Sequence, residues 1–170
     1  MISSRKTICI SILLILLAIP IAFYIAGWIY FAAITETLVS WNTPHTREVA
    51  IATEFGSNLG LPTSAKDIYA SSRTEGSQQN TIYLRFTATP DDIETFITSE
   101  FNRSYNKGQM QRMAISKKCF DDLPSASDRP TWWKPQIISS GAYIKKSDIE
   151  FGPQIWIDAT TNTIYYYNFF

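Results

Sequence analysis

Cysteine, histidine and net charge are all scarce in this chain of 170 residues. It has two cysteines, one histidine, and 15 Lys/Arg against 15 Asp/Glu. Two cysteines exclude a disulfide-stapled scaffold and a cysteine-rich zinc module. A single histidine, His45, removes most metal and triad chemistry. Balanced charge excludes a strongly basic nucleic-acid binder and an acidic disordered tail. No Gly-x-Ser-x-Gly turn, His-Glu-x-x-His, Cys-x-x-Cys, Walker loop, Gly-x-Gly-x-x-Gly or EF-hand spacing is present. No cofactor, no metal and no nucleic-acid partner are therefore expected. The length suits one domain with an appendage.

Charge is also missing locally. Residues 8–34 carry no Asp, Glu, Lys or Arg. A helical span needs ~20 apolar residues, so this run predicts a transmembrane anchor. Tyr24, Trp28, Tyr30 and Phe31 gather in its C-terminal half, as in an aromatic belt. Bulky residues fill the −3 position before Gly27, Ala32 and Ala33, which argues against signal-peptide cleavage. Arg5 and Lys6 precede the run and Glu36 follows it. The positive-inside rule then predicts a cytoplasmic tail at 1–7, an anchor at 8–34, a linker at 35–43 and an extracytoplasmic domain at 44–170 in the inner membrane. Ala18, Ala22 and Ala26 recur every fourth residue. Such a ladder lets two helices approach closely and suits a homodimer or a membrane-protein partner; ordinary alanine usage in a lipid-facing helix gives the same spacing.

What remains reads as α+β. Thr43-Pro44 resembles an N-cap with proline at the first helical position, and Val49, Ala52, Phe55 and Leu59 follow at helical spacing. A helix is expected at 44–58. Ile82, Leu84 and Phe86 alternate with Tyr83 and Arg85, the period of a half-buried strand. Strands are expected at 66–73, 80–88, 141–147, 153–158 and 163–169. Thr89-Pro90-Asp91-Asp92 starts a second helix at 90–104, whose Ile93, Phe96, Ile97 and Phe101 form one apolar face. The expected fold is an N-terminal transmembrane helix, then an antiparallel sheet of about five strands with two helices on one face. Residues 106–140 follow neither period, although Met110 and Met113 fit one short element.

Candidate chemistry is sparse. His45 stands at an expected helix start, and the carboxylate pairs Asp91-Asp92 and Asp121-Asp122 suit a helix N-terminus and a solvated loop. Trp132-Trp133-Lys134 is the most suggestive cluster. Tryptophan beside a cation is typical of binding hot spots, whereas a tryptophan pair also clamps a loop onto a sheet. The sequence predicts a single-pass, membrane-anchored binding module acting on a protein partner, with Trp132, Trp133 and Lys134 as its contact residues. An envelope domain for small ligands or glycans is the alternative, and an unrecognised hydrolase the third. On the first expectation, Trp133→Ala lowers partner binding and leaves the fold intact, measurable by pull-down alongside circular dichroism.

Overall fold

The computed structural model describes residues 19–25, 37–75, 79–103, 109–121, 123–146 and 152–169. The chain divides into two units, Met1–Glu36 and Thr37–Phe170. In the first, residues 19–25 are helical and exposed. At 1.5 Å per residue these seven described residues cover about 10 Å, against the ~30 Å of a hydrocarbon core. No helix among the described residues is long and apolar enough to cross a membrane. The transmembrane helix expected at 8–34 is corrected on that ground; its other residues, Ala18 and Ala26 among them, lie outside the described set. Ala22 lies on the helix and is exposed.

The second unit is built on one antiparallel sheet of seven strands rather than about five. They are β1 (Thr37–His45), β2 (Lys66–Glu75), β3 (Gln79–Thr87), β4 (Met110–Ala114), β5 (Gly141–Lys146), β6 (Gln154–Asp158) and β7 (Thr163–Phe169), in the order β1-β2-β3-β7-β6-β5-β4. Period-two alternation gives the sheet two faces. Leu84, Phe86, Ile144, Ile155, Ile157, Ile164 and Tyr166 lie on one, under the helix α3 (Pro90–Arg103), which contributes Ile93, Phe96, Ile97 and Phe101. Tyr83, Tyr143, Trp156 and Tyr165 lie on the other, under Cys119, Trp133 and Ile138 of the segment that follows β4. Both faces are therefore buried, and the expectation of helices covering one face describes only half of the core.

β1 occupies residues where a linker and a helix start were expected. Pro44 lacks an N–H, which suits a strand at the sheet edge as well as a first helical turn. β1 pairs with β2 alone, and its register slips between Thr37 and Val39 and again between Trp41 and His45. The helix expected at 44–58 becomes two short ones, α1 (Arg47–Ile51) and α2 (Glu54–Asn58). Thr53 makes the break: its hydroxyl donates to the Ala50 carbonyl at 2.8 Å and accepts from the Gly56 N–H at 3.0 Å. A methyl on Gly56 would stand 2.0 Å from the Ala50 oxygen, so only glycine fits this corner.

The last hairpin depends on local side-chain chemistry. Asp158 accepts from the Thr160 N–H at 2.8 Å and the Thr161 hydroxyl at 2.9 Å, and Asn162 takes a left-handed φ of 50°. At the start of α3, Thr89 accepts from the Asp92 N–H at 3.4 Å. The Asp92 carboxylate reaches across to the loop before β2, accepting from the Ser64 N–H at 3.0 Å and the Thr63 hydroxyl at 3.3 Å. Hydrogen bonds from Ser64, first from its side chain and then its backbone, hold this carboxyl below its ordinary aspartate value.

A depressed folded value contributes stability above the unfolded pKa and loses it as pH falls through the folded one. The melting-temperature gap between the wild type and Asp92→Asn is thus expected to be largest above about pH 5 and to shrink toward about pH 2. A gap that does not change with pH would show that the carboxylate's charge is irrelevant to the contact.

Candidate functional site

On the face opposite α3, one row of side chains crosses the sheet. Tyr69, Arg85, Tyr165, Trp156, Tyr143 and Met113 are successive cross-strand partners on β2, β3, β7, β6, β5 and β4. Such neighbours sit ~5 Å apart and interact directly. The Arg85 guanidinium lies over the rings of Tyr69 and Tyr165, 5.0 and 5.7 Å from their centroids. The Trp156 and Tyr143 rings stack at 4.8 Å. Burial, opposed by the Arg85 cation and aided by the Asp158 charge, raises the Tyr165 phenol above its ordinary pKa. It stays protonated at neutral pH and offers no base.

Trp133 lands in the middle of this row. It is 1% exposed, meets Tyr83, Trp156 and Tyr165 edge-on, and donates its indole N–H to the Tyr166 carbonyl at 3.1 Å. Trp133 is thus a core residue rather than an exposed one. Trp132 is half-buried, 5.5 Å from the Tyr69 ring, with its N–H on the Asn42 side chain at 3.2 Å. Lys134 is exposed. The three adjacent residues split into a core plug, a latch to β1 and β2, and a free cation.

β4 ends the sheet on the other side. It pairs with β5 alone, in unbroken register from Met110 opposite Lys146 to Ala114 opposite Ala142, and all five of its residues are exposed. The Ile115 N–H donates to the Gly141 carbonyl at 3.1 Å. Antiparallel ladders alternate, so Gln111 and Met113 bond toward β5 while Met110, Arg112 and Ala114 turn their N–H and C=O groups away from it. The Cys119 thiol, 3.6 Å from the Ala114 carbonyl, closes that outward row at one end. Arg112 is held by a double contact with Glu94 of α3, at 2.7 and 2.8 Å. Met110 and Met113 are 49% and 38% exposed, the largest apolar surface on the strand.

Among the described residues, the remaining candidates are each engaged locally. His45 stacks on Trp41 at 4.9 Å and places Nδ1 2.9 Å from the Thr43 carbonyl. Cys119 is buried beside the Ser116 hydroxyl. Asp92 is engaged at the α3 start, as above. Among the described residues no three His, Cys, Asp or Glu side chains converge as a metal site would require. Comparison with known proteins finds no matching family model, curated protein or solved structure. The chemistry must be argued from these residues. β4, the element that stands out most, fell within the stretch that follows neither period; the spaced Met110 and Met113 were its one trace in the sequence.

Trp133→Ala is expected to cost about 3–5 kcal/mol of stability, since it empties a close-packed site and strands the Tyr166 contact. Trp132→Ala, on a half-buried latch, is expected to cost about 1 kcal/mol. Urea unfolding of both variants checks the order; equal costs would refute the division of roles.

Proposed function

We propose that this chain is a protein-binding module that acts by adding an extended segment of its partner to the β4 edge, rather than by catalysis. The observation that supports this reading is the contrast between the two ends of the sheet. Exposed edges carry unpaired backbone groups and are normally blunted by proline, bulges or charge. β1 has both Pro44 and two register slips. β4 has no proline and no slip, and its one charge is already paired with Glu94. Main-chain hydrogen bonds would supply affinity, and the side chains alternating along the edge would supply selectivity. The glycan-binding alternative finds less support, because Trp133, the stacking platform it needs, is enclosed in the core.

A photo-crosslinking residue in place of Gln111, in the full chain expressed in its own cells, is expected to capture a partner. Arg112→Pro removes an outward N–H and should abolish the adduct, while Arg112→Ala keeps that N–H and should retain it. A crosslinker in place of Thr43 on β1 should give none. An adduct unaffected by Arg112→Pro, or equal at both edges, would overturn the proposal.

A further inference from the structure

The row next to the aromatic one begins with hydroxyls. Ser40 of β1, Ser71 of β2 and Tyr83 of β3 are successive cross-strand partners on the face opposite α3. Between this row and residues 127–130 lies a cleft of about 220 Å³. Its outer wall is held in place. The Asp128 N–H donates to the Ser125 carbonyl and the Trp133 N–H to the Pro130 carbonyl, both at 3.0 Å. The Trp132 indole ties the same segment to Asn42 of β1, which also lines the cleft. The cleft is smaller than the ~300–1,000 Å³ typical of drug-sized sites, so its occupant is a small molecule.

Two observations give this cleft chemistry. Ser71, on its floor, is 7% exposed. Among the described residues its hydroxyl has no hydrogen-bond partner. A buried polar group without a partner is costly and uncommon, and a polar ligand in the cleft would satisfy it. The second observation is a pair of opposite charges that do not meet. Asp128 and Arg129 both line the cleft, and among the described residues neither forms an ion pair. The Asp128 carboxylate accepts from the Ser127 hydroxyl at 3.1 Å. Arg129 reaches the Gln136 side-chain oxygen at 3.5 Å, beyond the usual hydrogen-bond range. Arg73 brings a second guanidinium to the lining.

We propose that this cleft binds a free amino acid, with the ligand's carboxylate on Arg129, its ammonium on Asp128 and a hydrogen bond to the Ser71 hydroxyl. The charge pattern selects the ligand class. A simple anion suits the guanidinium groups but is opposed by Asp128. A simple cation suits Asp128 but is opposed by Arg129 and Arg73. A small zwitterion satisfies both signs, and charge-assisted hydrogen bonds of this kind are the stronger ones. An amino acid carries its two charges on neighbouring atoms, as the cleft carries its own on adjacent residues. The site stands apart from the β4 edge and does not depend on strand addition.

Thermal melting of the full chain in mild detergent, followed by tryptophan fluorescence, tests this with each standard amino acid in turn at millimolar concentration. At least one should raise the melting temperature, by more as its concentration rises. Calorimetric titration then compares that amino acid with its N-acetyl derivative, which lacks the ammonium, and its amide, which lacks the carboxylate. Each derivative should bind about tenfold more weakly. Asp128→Asn should weaken the parent and remove the discrimination against the N-acetyl form, and Arg129→Gln should do the same for the amide. Ser71→Ala should weaken binding while leaving the ligand-free melting temperature unchanged or higher, since it deletes a buried group without a partner. A lower ligand-free value would show a structural hydroxyl and overturn the site. So would the absence of any stabilising amino acid, derivatives that bind as tightly as the parent, or an affinity that both charge variants leave intact.

Discussion

Two indole hydrogen bonds hold this domain's second core together. Trp133, on the irregular segment, donates to the Tyr166 carbonyl of β7, and Trp156, on β6, donates at 2.9 Å to the Cys119 carbonyl of the segment. The tie is reciprocal, with each layer's tryptophan satisfying a carbonyl of the other. It solves a definite problem. A covering layer without regular structure has backbone groups that no ladder satisfies, and a buried orphan costs about 1–3 kcal/mol. The same two rings fill the space between the layers, edge to face at 5.4 Å. Direction and volume thus come from the same pair of side chains, and the described residues between 115 and 140 take a defined path over the sheet with only two short 3-10 turns, Lys117–Phe120 and Pro135–Ile137.

That arrangement explains why the free surface lies at the sheet's end rather than on its faces. With α3 on one side and the Trp133 segment on the other, the aromatic row from Tyr69 to Tyr143 is consumed as core. The edges are what remain. β1 is bent by its slips and tied down by the Trp41 ring, which packs on Phe55 of α2 at 5.7 Å. β4 buries none of its side chains and is fixed by its pairing with β5 and by the Arg112–Glu94 contact.

Much of the sheet was legible in the sequence because its strands carry either a period of two or a continuous β-prone run. β3 and β6 alternate, β7 is continuously β-prone, and Thr89-Pro90 marks the α3 start within a residue. What was not legible has physical causes. Pro44 satisfies two rules at once, that of a first helical turn and that of an edge strand, and only the pairing with β2 decides between them. β4 has no buried face, so it leaves no periodic signature. The apolar run at 8–34 satisfied a length criterion, while the helix described within it spans residues 19–25. The Trp132-Trp133 pair was recognisable as important, but adjacency gave no means of telling the plug from the latch. That distinction depends on Tyr166 and Asn42, residues far away in sequence.

β4 also raises a thermodynamic question. Ordering each backbone residue costs about 1–2 kcal/mol, and strand pairing without side-chain burial returns little, since a typical net hydrogen bond gives only about 1 kcal/mol. A five-residue strand with every side chain exposed therefore contributes little to folding, and the sheet could end at β5 with its core intact. Nor is the exposed Arg112–Glu94 pair enough, being of a kind worth about 0–1 kcal/mol. On the strand-addition reading the cost has an explanation. An ordered β4 presents outward groups already aligned, so an incoming segment orders only itself, and preorganisation of this kind raises affinity without enlarging the interface. The strand that contributes least to the fold is then the one that most favours a partner.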